Sequence, residues 1–171
     1  MRVVLFRHGP AGQRDASRWP DDGQRPLTAK GEERTLAASD GLAMLLGGEI
    51  TVIATSPLVR AARTAELLSQ SAPDAALEPL DALLPGHSYR GVLAWLAKRA
   101  PEDTVVLVGH EPDLGKLAGM LVFGAPAALP LKKAGAALIQ CVGEVTPGAG
   151  KLRWLMPPKA LRRLARKRAK V

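Results

Sequence analysis

The decisive stretch is VVLFRHG, residues 3–9. Four apolar residues with no polar alternation are too few for a helix and fit a strand covered on both faces. The run ends in a basic pair, Arg7 and His8, followed at once by Gly9. A hundred residues on, VVLVGHEP (residues 105–112) does something similar. Two short buried strands therefore each deliver a histidine, His8 and His110, at their C-terminal ends.

Between and beyond these junctions, short apolar β-branched runs alternate with longer helical patterns, which predicts an α/β domain with a largely parallel sheet. The predicted strands are Val3 to Phe6, Thr51 to Thr55 and Thr104 to Val108. A later pair, Ala136 to Val142 and Lys151 to Met156, is divided by the turn-rich Thr146-Pro-Gly-Ala-Gly150 and reads as antiparallel. Thr28 suits the N-cap of a helix reaching about Leu46, and Ser56-Pro57 marks the start of a second. That second helix carries Leu58, Ala61, Ala62, Ala65 and Leu68 at amphipathic spacing. Residues 90–100 form a third, and Leu114, Leu117, Ala118 and Leu121 a fourth opened by Pro112. Residues 10–27, rich in Gly, Pro, Asp and Arg, read as a surface loop beside the first strand.

A chain of 171 residues suits one domain, long enough to bury roughly 70% of the surface its unfolded form exposes. One cysteine, Cys141, permits no intrachain disulfide and fits a reducing compartment. The longest uncharged stretch, Leu117 to Leu131, holds Pro126 and Pro130 and is too short to span a bilayer as a helix. The apolar run after Arg2 is too short for a signal peptide, so a cytoplasmic protein is expected. The net charge of +8 is concentrated at the C-terminus. Lys159, Arg162, Arg163, Arg166, Lys167, Arg168 and Lys170 carry it without an intervening acid, and the rest of the chain is nearly neutral. The expected division is a domain over residues 1–158 and a basic helical tail over 159–171.

Ligands of open α/β sheets bind beyond the carboxyl ends of the strands, where Arg7, His8 and His110 all fall. The third junction, TSPLVRAARTAE (residues 55–66), adds Arg60 one turn into a helix, where a cation opposes the helix dipole unless an anion sits between them. Two arginines, two histidines and a helix start on one rim describe a pocket for a phosphoryl group. Imidazole is a competent nucleophile at neutral pH, and its phosphoramidate is labile enough for water to cleave. His8 is the candidate nucleophile, with Gly9 allowing close approach of a ligand to the backbone. Arg7, Arg60 and His110 would hold the peripheral oxygens, whose charge must be stabilised in the loose transition state of phosphoryl transfer. Asp21-Asp22 have no companion ligand cluster and read as loop or capping residues, so no metal is expected.

Arg7-His8-Gly9, the SPLxRAxxTA pattern from Ser56 to Ala65, the Leu-Thr-x-x-Gly run from Leu27 to Gly31 and Gly109-His110 together resemble the histidine phosphatase (phosphoglycerate-mutase-like) superfamily. The short chain, GHEPDL at 109–114 and LKKAG at 131–135 are most similar to bacterial phosphohistidine phosphatases of the SixA type. The resemblance runs from Arg2 to about Pro158. It implies a three-layer sandwich whose mostly parallel central sheet is flanked by helices on both faces. It also implies a phosphohistidine on His8, phosphate contacts from Arg7, Gly9, Arg60 and His110, and neither metal nor cofactor. Larger members supply a carboxylate as general acid after the second helix, and SixA-like proteins carry an acid directly after RHG. Here Pro10 and Ala82 occupy those positions. Glu111 and Asp81 are the substitutes to test, with Glu78 and Asp15 behind them.

An imidazole leaving group needs a general acid less than an alkoxide does. That difference favours a phosphohistidine or another activated phosphoryl donor over an ordinary sugar phosphate, and the SixA resemblance implies a protein phosphohistidine. A small-molecule phosphomonoester or nucleotide phosphatase is the alternative within the same chemistry, and a catalytically silent phospho-ligand or nucleic-acid binding module the alternative outside it. Leu161, Leu164 and Ala165 give the tail an apolar stripe, and such helices can lie on nucleic acid or an anionic membrane. Without interleaved aromatics to stack bases, the favoured reading of the tail is a solvated helix resting on the body.

Overall fold

The computed structural model describes residues 1–168. Along the chain run β1 (Arg2–Arg7), α1 (Ala29–Leu45), β2 (Val52–Thr55), α2 (Val59–Ser69), β3 (Ala76–Pro79) and α3 (Tyr89–Leu96). They are followed by β4 (Thr104–Gly109), α4 (Asp113–Phe123), β5 (Ala136–Cys141), β6 (Gly150–Met156) and α5 (Pro158–Arg168). The six strands form one sheet in the order β3-β2-β4-β1-β5-β6. The β3-β2, β2-β4 and β4-β1 pairs are parallel, while β5 and β6 continue the sheet antiparallel.

The sheet is covered on both faces, as its continuous apolar strands require. Val3, Leu5, Val105 and Leu107 face one core with Val92 and Leu96 of α3 and Leu114, Leu117 and Leu121 of α4. The alternate residues Val4, Phe6, Val106 and Val108 face the other with Ala38 and Leu42 of α1, Ala61, Ala65 and Leu68 of α2, and Leu161 of α5. The expected three-layer α/β sandwich is therefore the observed one. Thr28 caps α1, its side chain accepting the Gly31 N–H, and helix starts at Ser56-Pro57 and Pro112 are each followed by the expected helix.

Strand β3 was absent from the sequence reading. Its sequence, ALEP, is mostly exposed on the sheet edge, so no apolar run or alternation marks it, and only pairing with β2 makes it a strand. Residues 10–27 are more ordered than a plain surface loop. Ala11 bridges to Leu27, a single 3-10 turn spans Asp22–Gln24, and Arg25 is buried.

The basic segment is joined to the body more closely than a helix resting on it. Leu161 is wholly buried, and at Gly41 of α1 a Cβ would overlap the Leu161 carbonyl, so the two helices meet backbone to backbone. The apolar stripe is thus used by the domain itself, and what α5 presents outward includes the exposed Lys159, Arg163 and Arg166. Residues 169–171 of the expected tail lie outside the described residues. Among the described residues, no helix is long and apolar enough to cross a membrane.

Leu161→Ala is expected to destabilise the protein by about 3 kcal/mol in urea unfolding, the cost of a cavity in a closed core. Gly41→Ala should cost about 1–3 kcal/mol by forcing α5 away. A loss below about 0.5 kcal/mol in both, the range of an ordinary surface change, would show α5 to be an appendage.

Candidate active site

The geometry starts from one register. Arg7 of β1 lies opposite Gly109 of β4, and the His8 N–H donates to the Gly109 carbonyl at 3.0 Å. His8 and His110 therefore leave neighbouring strands at the same level, with ring centroids 5.1 Å apart and planes tilted by 53°. Helix α1 follows β1 on one face and α4 follows β4 on the other, so the two strand ends flank a crevice of the kind in which α/β sheets bind ligands. Arg7, His8, Arg60, His110 and Glu111 line one cleft of about 340 Å³.

His8 is 6% exposed, and its Nδ1 donates to the Gly9 carbonyl at 2.7 Å, which leaves Nε2 as the unprotonated nitrogen of the neutral ring. Burial, followed by the positive neighbourhood of His110, Arg60 and Arg7, lowers its pKa from 6.5 to about 3. His110 falls to about 4, again through burial first and Arg60 next. Both rings are neutral at pH 7, the state in which imidazole can attack.

His110 Nε2 lies 2.9 Å from Ser56 Oγ. That hydroxyl oxygen accepts the Leu58 N–H at 3.4 Å and keeps a proton of its own to give; in the tautomer where it donates to Nε2, the ring proton is on Nδ1. Nδ1 is buried without a protein partner, as are Nε of Arg7 and Nε of Arg60. Three of the five buried side-chain nitrogens and oxygens that lack a partner among the described residues therefore belong to this one cleft. Buried donors are rarely left unpaired, and a concentration of them marks where a ligand's acceptors go.

The motif residues support this wall. Thr64 of α2 donates to the Arg60 carbonyl at 2.7 Å and accepts the Gly9 N–H at 3.0 Å. Thr28 donates its backbone N–H to the Pro10 carbonyl at 3.1 Å, and a Cβ at Gly31 would overlap that same carbonyl. Gly9 itself calls for a correction of the expected reason. A Cβ there would overlap Thr35 Oγ1, so its missing side chain admits a helix from beneath, and Gly9 does not line the cleft.

Asp22, read from sequence as a loop or capping residue, holds Arg60: its carbonyl accepts from Nη1 at 2.8 Å and its Oδ2 lies 3.2 Å from Nη2. It also pairs with Arg25 at 2.8 Å. Asp22 thus gives Arg60 an anionic partner, and the two arginines hold its carboxyl below the usual range, with the Arg25 hydrogen bond the larger cause. Arg7 donates Nη1 to the Leu131 carbonyl at 2.8 Å, and the Leu131 N–H donates to Glu111 Oε1 at 2.9 Å. Ser56, Thr64, Asp22 and Leu131 are positioning residues that sequence reasoning missed. They act through long-range partners, and the signals the sequence offered were the SPLxRAxxTA pattern for Ser56 and Thr64 and the LKKAG stretch for Leu131.

The candidate acids separate. Glu111 lines the cleft, and burial raises its pKa. Asp81 is exposed in a 3-10 turn outside the cleft, Glu78 bonds Trp95 and Arg99, and Asp15 caps its own turn through Ser17 and Arg18. His87 lines a separate cavity of about 60 Å³ that shares the His110 ring. Among the described residues, no group of three or more His, Cys, Asp or Glu is arranged to hold a metal ion.

Comparison with known proteins follows the same lines. Residues 3–83 match the model of the histidine phosphatase superfamily (branch 1). An uncharacterized protein of a Picosynechococcus strain is 43% identical over 138 residues, covering 79% of this chain and 82% of that protein. The protein histidine phosphatase SixA, solved with tungstate, superposes with a TM-score of 0.81 at 26% identity over 94% of this chain and 99% of its own. A Nakamurella multipartitia protein carrying the SixA name gives 0.70 at 25% identity over 92% and 95%. The chain belongs to the histidine phosphatase superfamily, in its SixA-type group, and is with that family a phosphatase.

The depressed histidine pKa values carry a stability consequence with a definite sign. Between about pH 4 and 6.5 the unfolded chain takes up protons that the folded chain refuses, so stability is complete above 6.5 and declines as pH falls. From pH 7 to pH 5 each of the two histidines should remove about 2 kcal/mol. His8→Gln and His110→Gln are each expected to flatten the pH dependence of unfolding by that amount, and an unaltered slope would place the rings in water.

Proposed function

We propose that this phosphatase hydrolyses phosphorylated histidine on a partner protein through a covalent phosphohistidine at His8. The observation that carries the chemistry is the set of three unpaired buried donors, on Arg7, Arg60 and His110, around a neutral imidazole with a free Nε2. The phosphoryl oxygens take those donors. His8 Nε2 forms a bond to phosphorus as the bond to the leaving nitrogen breaks, and a leaving imidazole protonated at its other nitrogen departs neutral. Nδ1–H of His8 stays on the Gly9 carbonyl, which stabilises the positive phosphorylated ring in its labile form. Water then adds to phosphorus, the P–Nε2 bond breaks, and both water protons leave with dihydrogen phosphate. Preorganised donors serve both steps without reorganising.

The choice of leaving group rests on the carboxylates. Asp22 is held by Arg25 and Arg60, and Glu111 accepts from Leu131, so each has a structural task. Glu111 is best described as a positioning residue that fixes the carbonyl bonded to Arg7. A site without a free acid suits imidazole better than an alkoxide. The likeness to a protein histidine phosphatase supports the same substrate class. A cytoplasmic setting fits both the phosphotransfer chemistry and the buried thiol of Cys141.

His8→Ala should lower turnover of a phosphohistidine peptide by roughly 10³-fold or more, with loss of the acid-labile phosphoenzyme in rapid-quench labelling. Turnover should be unaffected by EDTA. Glu111→Gln, which keeps an acceptor for Leu131, should retain most of the rate and Glu111→Ala should not. Equal losses in the two variants would return Glu111 to the role of acid, and a preference for alkyl phosphomonoesters over phosphohistidine would identify a small-molecule phosphatase.

A further inference from the structure

The cleft holds more positive charge than a phosphoryl group neutralises. Five cationic side chains line it, Arg7, Arg14, Arg25, Arg60 and Lys133, against the carboxylates of Glu111 and of Asp22 behind it. A phosphoryl dianion still leaves one positive charge in surplus, and burial of Glu111 pushes its carboxyl toward neutrality.

The surplus can be located. Arg7 and Arg60 have the phosphoryl donors, and Arg25 is spent on Asp22 and on the Gly12 carbonyl at 2.6 Å. Arg14 extends into solvent with only a 3.8 Å approach to Asp22. Lys133 has no acidic partner among the described residues, and its neighbours within electrostatic reach are Arg7, Arg25 and Arg60.

Lys133 is also held in place. The Gly135 N–H closes a turn onto the Lys132 carbonyl at 2.7 Å, with Ala134 at φ +56°, a left-handed conformation that costs a non-glycine residue free energy. The Ala134 N–H is shared between the carbonyls of Arg7 and His8 at 3.1 and 3.2 Å, and the Arg7 N–H returns to the Gly135 carbonyl at 3.1 Å. The turn is thus stitched to the strand end that bears His8, and the lysine it presents is exposed and lines the same cleft as His8.

We propose that Lys133, aided by Arg14 from a separate loop, forms a second anion subsite that takes a carboxylate flanking the phosphorylated side chain on the partner protein. The enzyme then selects phosphohistidine set among acidic residues. This rests on the function proposed above, which supplies a protein as the substrate. A polypeptide brings such a carboxylate at a fixed distance from the phosphoryl group. A small diphosphate carries the same charge and is the competing source.

The test uses two phosphohistidine peptides of equal length, one flanked by Asp and Glu and the other by Asn and Gln. The wild-type kcat/KM should favour the acidic peptide by roughly threefold to fivefold at low salt, as for an ion pair at a solvent-exposed site, and the preference should shrink as salt is added. Lys133→Gln should bring the ratio toward one, and Lys133→Glu should invert it. The same ratio in wild type and both variants overturns the subsite while leaving the phosphohistidine reading intact. If neither peptide is hydrolysed although p-nitrophenyl phosphate is, the substrate reading has failed. The subsite is then decided by the peptides as inhibitors: tighter acidic inhibition lost in Lys133→Gln upholds it, and equal inhibition overturns it. Pyrophosphate inhibition that depends on Lys133, with no dependence of the peptide ratio, assigns the charge to a small diphosphate and also overturns the proposal.

Discussion

The parallel pairing of β1 with β4 is the constraint on which the rest depends. Its register puts Arg7 beside Gly109, and one hydrogen bond beyond, from the His8 N–H to the Gly109 carbonyl, places two histidines separated by a hundred residues on a common rim. A slip of one residue would turn every side chain of β1 to the opposite face, exchanging Val3 and Leu5 with Val4 and Phe6 between two closed cores. The burial that stabilises the sheet is therefore the same burial that aligns the site.

That alignment carries an electrostatic cost. The buried Arg60, the half-buried Arg7, two buried imidazoles and a lysine line one cleft, and three buried nitrogens there have no protein partner. Each unpaired donor costs about 1–3 kcal/mol. The protein offsets part of this by keeping both histidines neutral and by setting Asp22 against Arg60 and Arg25. In the proposed reaction an incoming phosphoryl group would accept from these donors, so that hydrogen bonding left unsatisfied in the free site would contribute to binding. The strained turn at Ala134 and the contact between Glu111 and Leu131 hold this arrangement against its own repulsion.

Much of this was legible in the linear chain because strand ends are conspicuous. Continuous apolar runs marked β1, β2 and β4, and the residues following them marked the rim. The SPLxRAxxTA pattern carried Arg60 and, unrecognised, the two hydroxyls that orient its neighbours: Ser56 for His110 and Thr64 for Gly9. Strand β3 escaped because an exposed edge need not be apolar. Gly9 was noticed for the wrong reason, since the residue that excludes a side chain there is Thr35, on a helix whose approach no local pattern describes. The basic C-terminal helix looked detachable because charge dominates its composition, and one leucine meeting one glycine joins it to α1.

The sequence by itself determined the layers, the strand ends and the residue types gathered there, because hydrophobic periodicity and glycine placement act over a few residues and can be read locally. The tertiary structure alone decided which nitrogen of each imidazole is free, which carboxylates are engaged and where the surplus positive charge stands. Those properties depend on hydrogen-bond partners and desolvation contributed by segments distant along the chain, as Ser56 is from His110 and Leu131 from Arg7, and no local pattern encodes a distance in space.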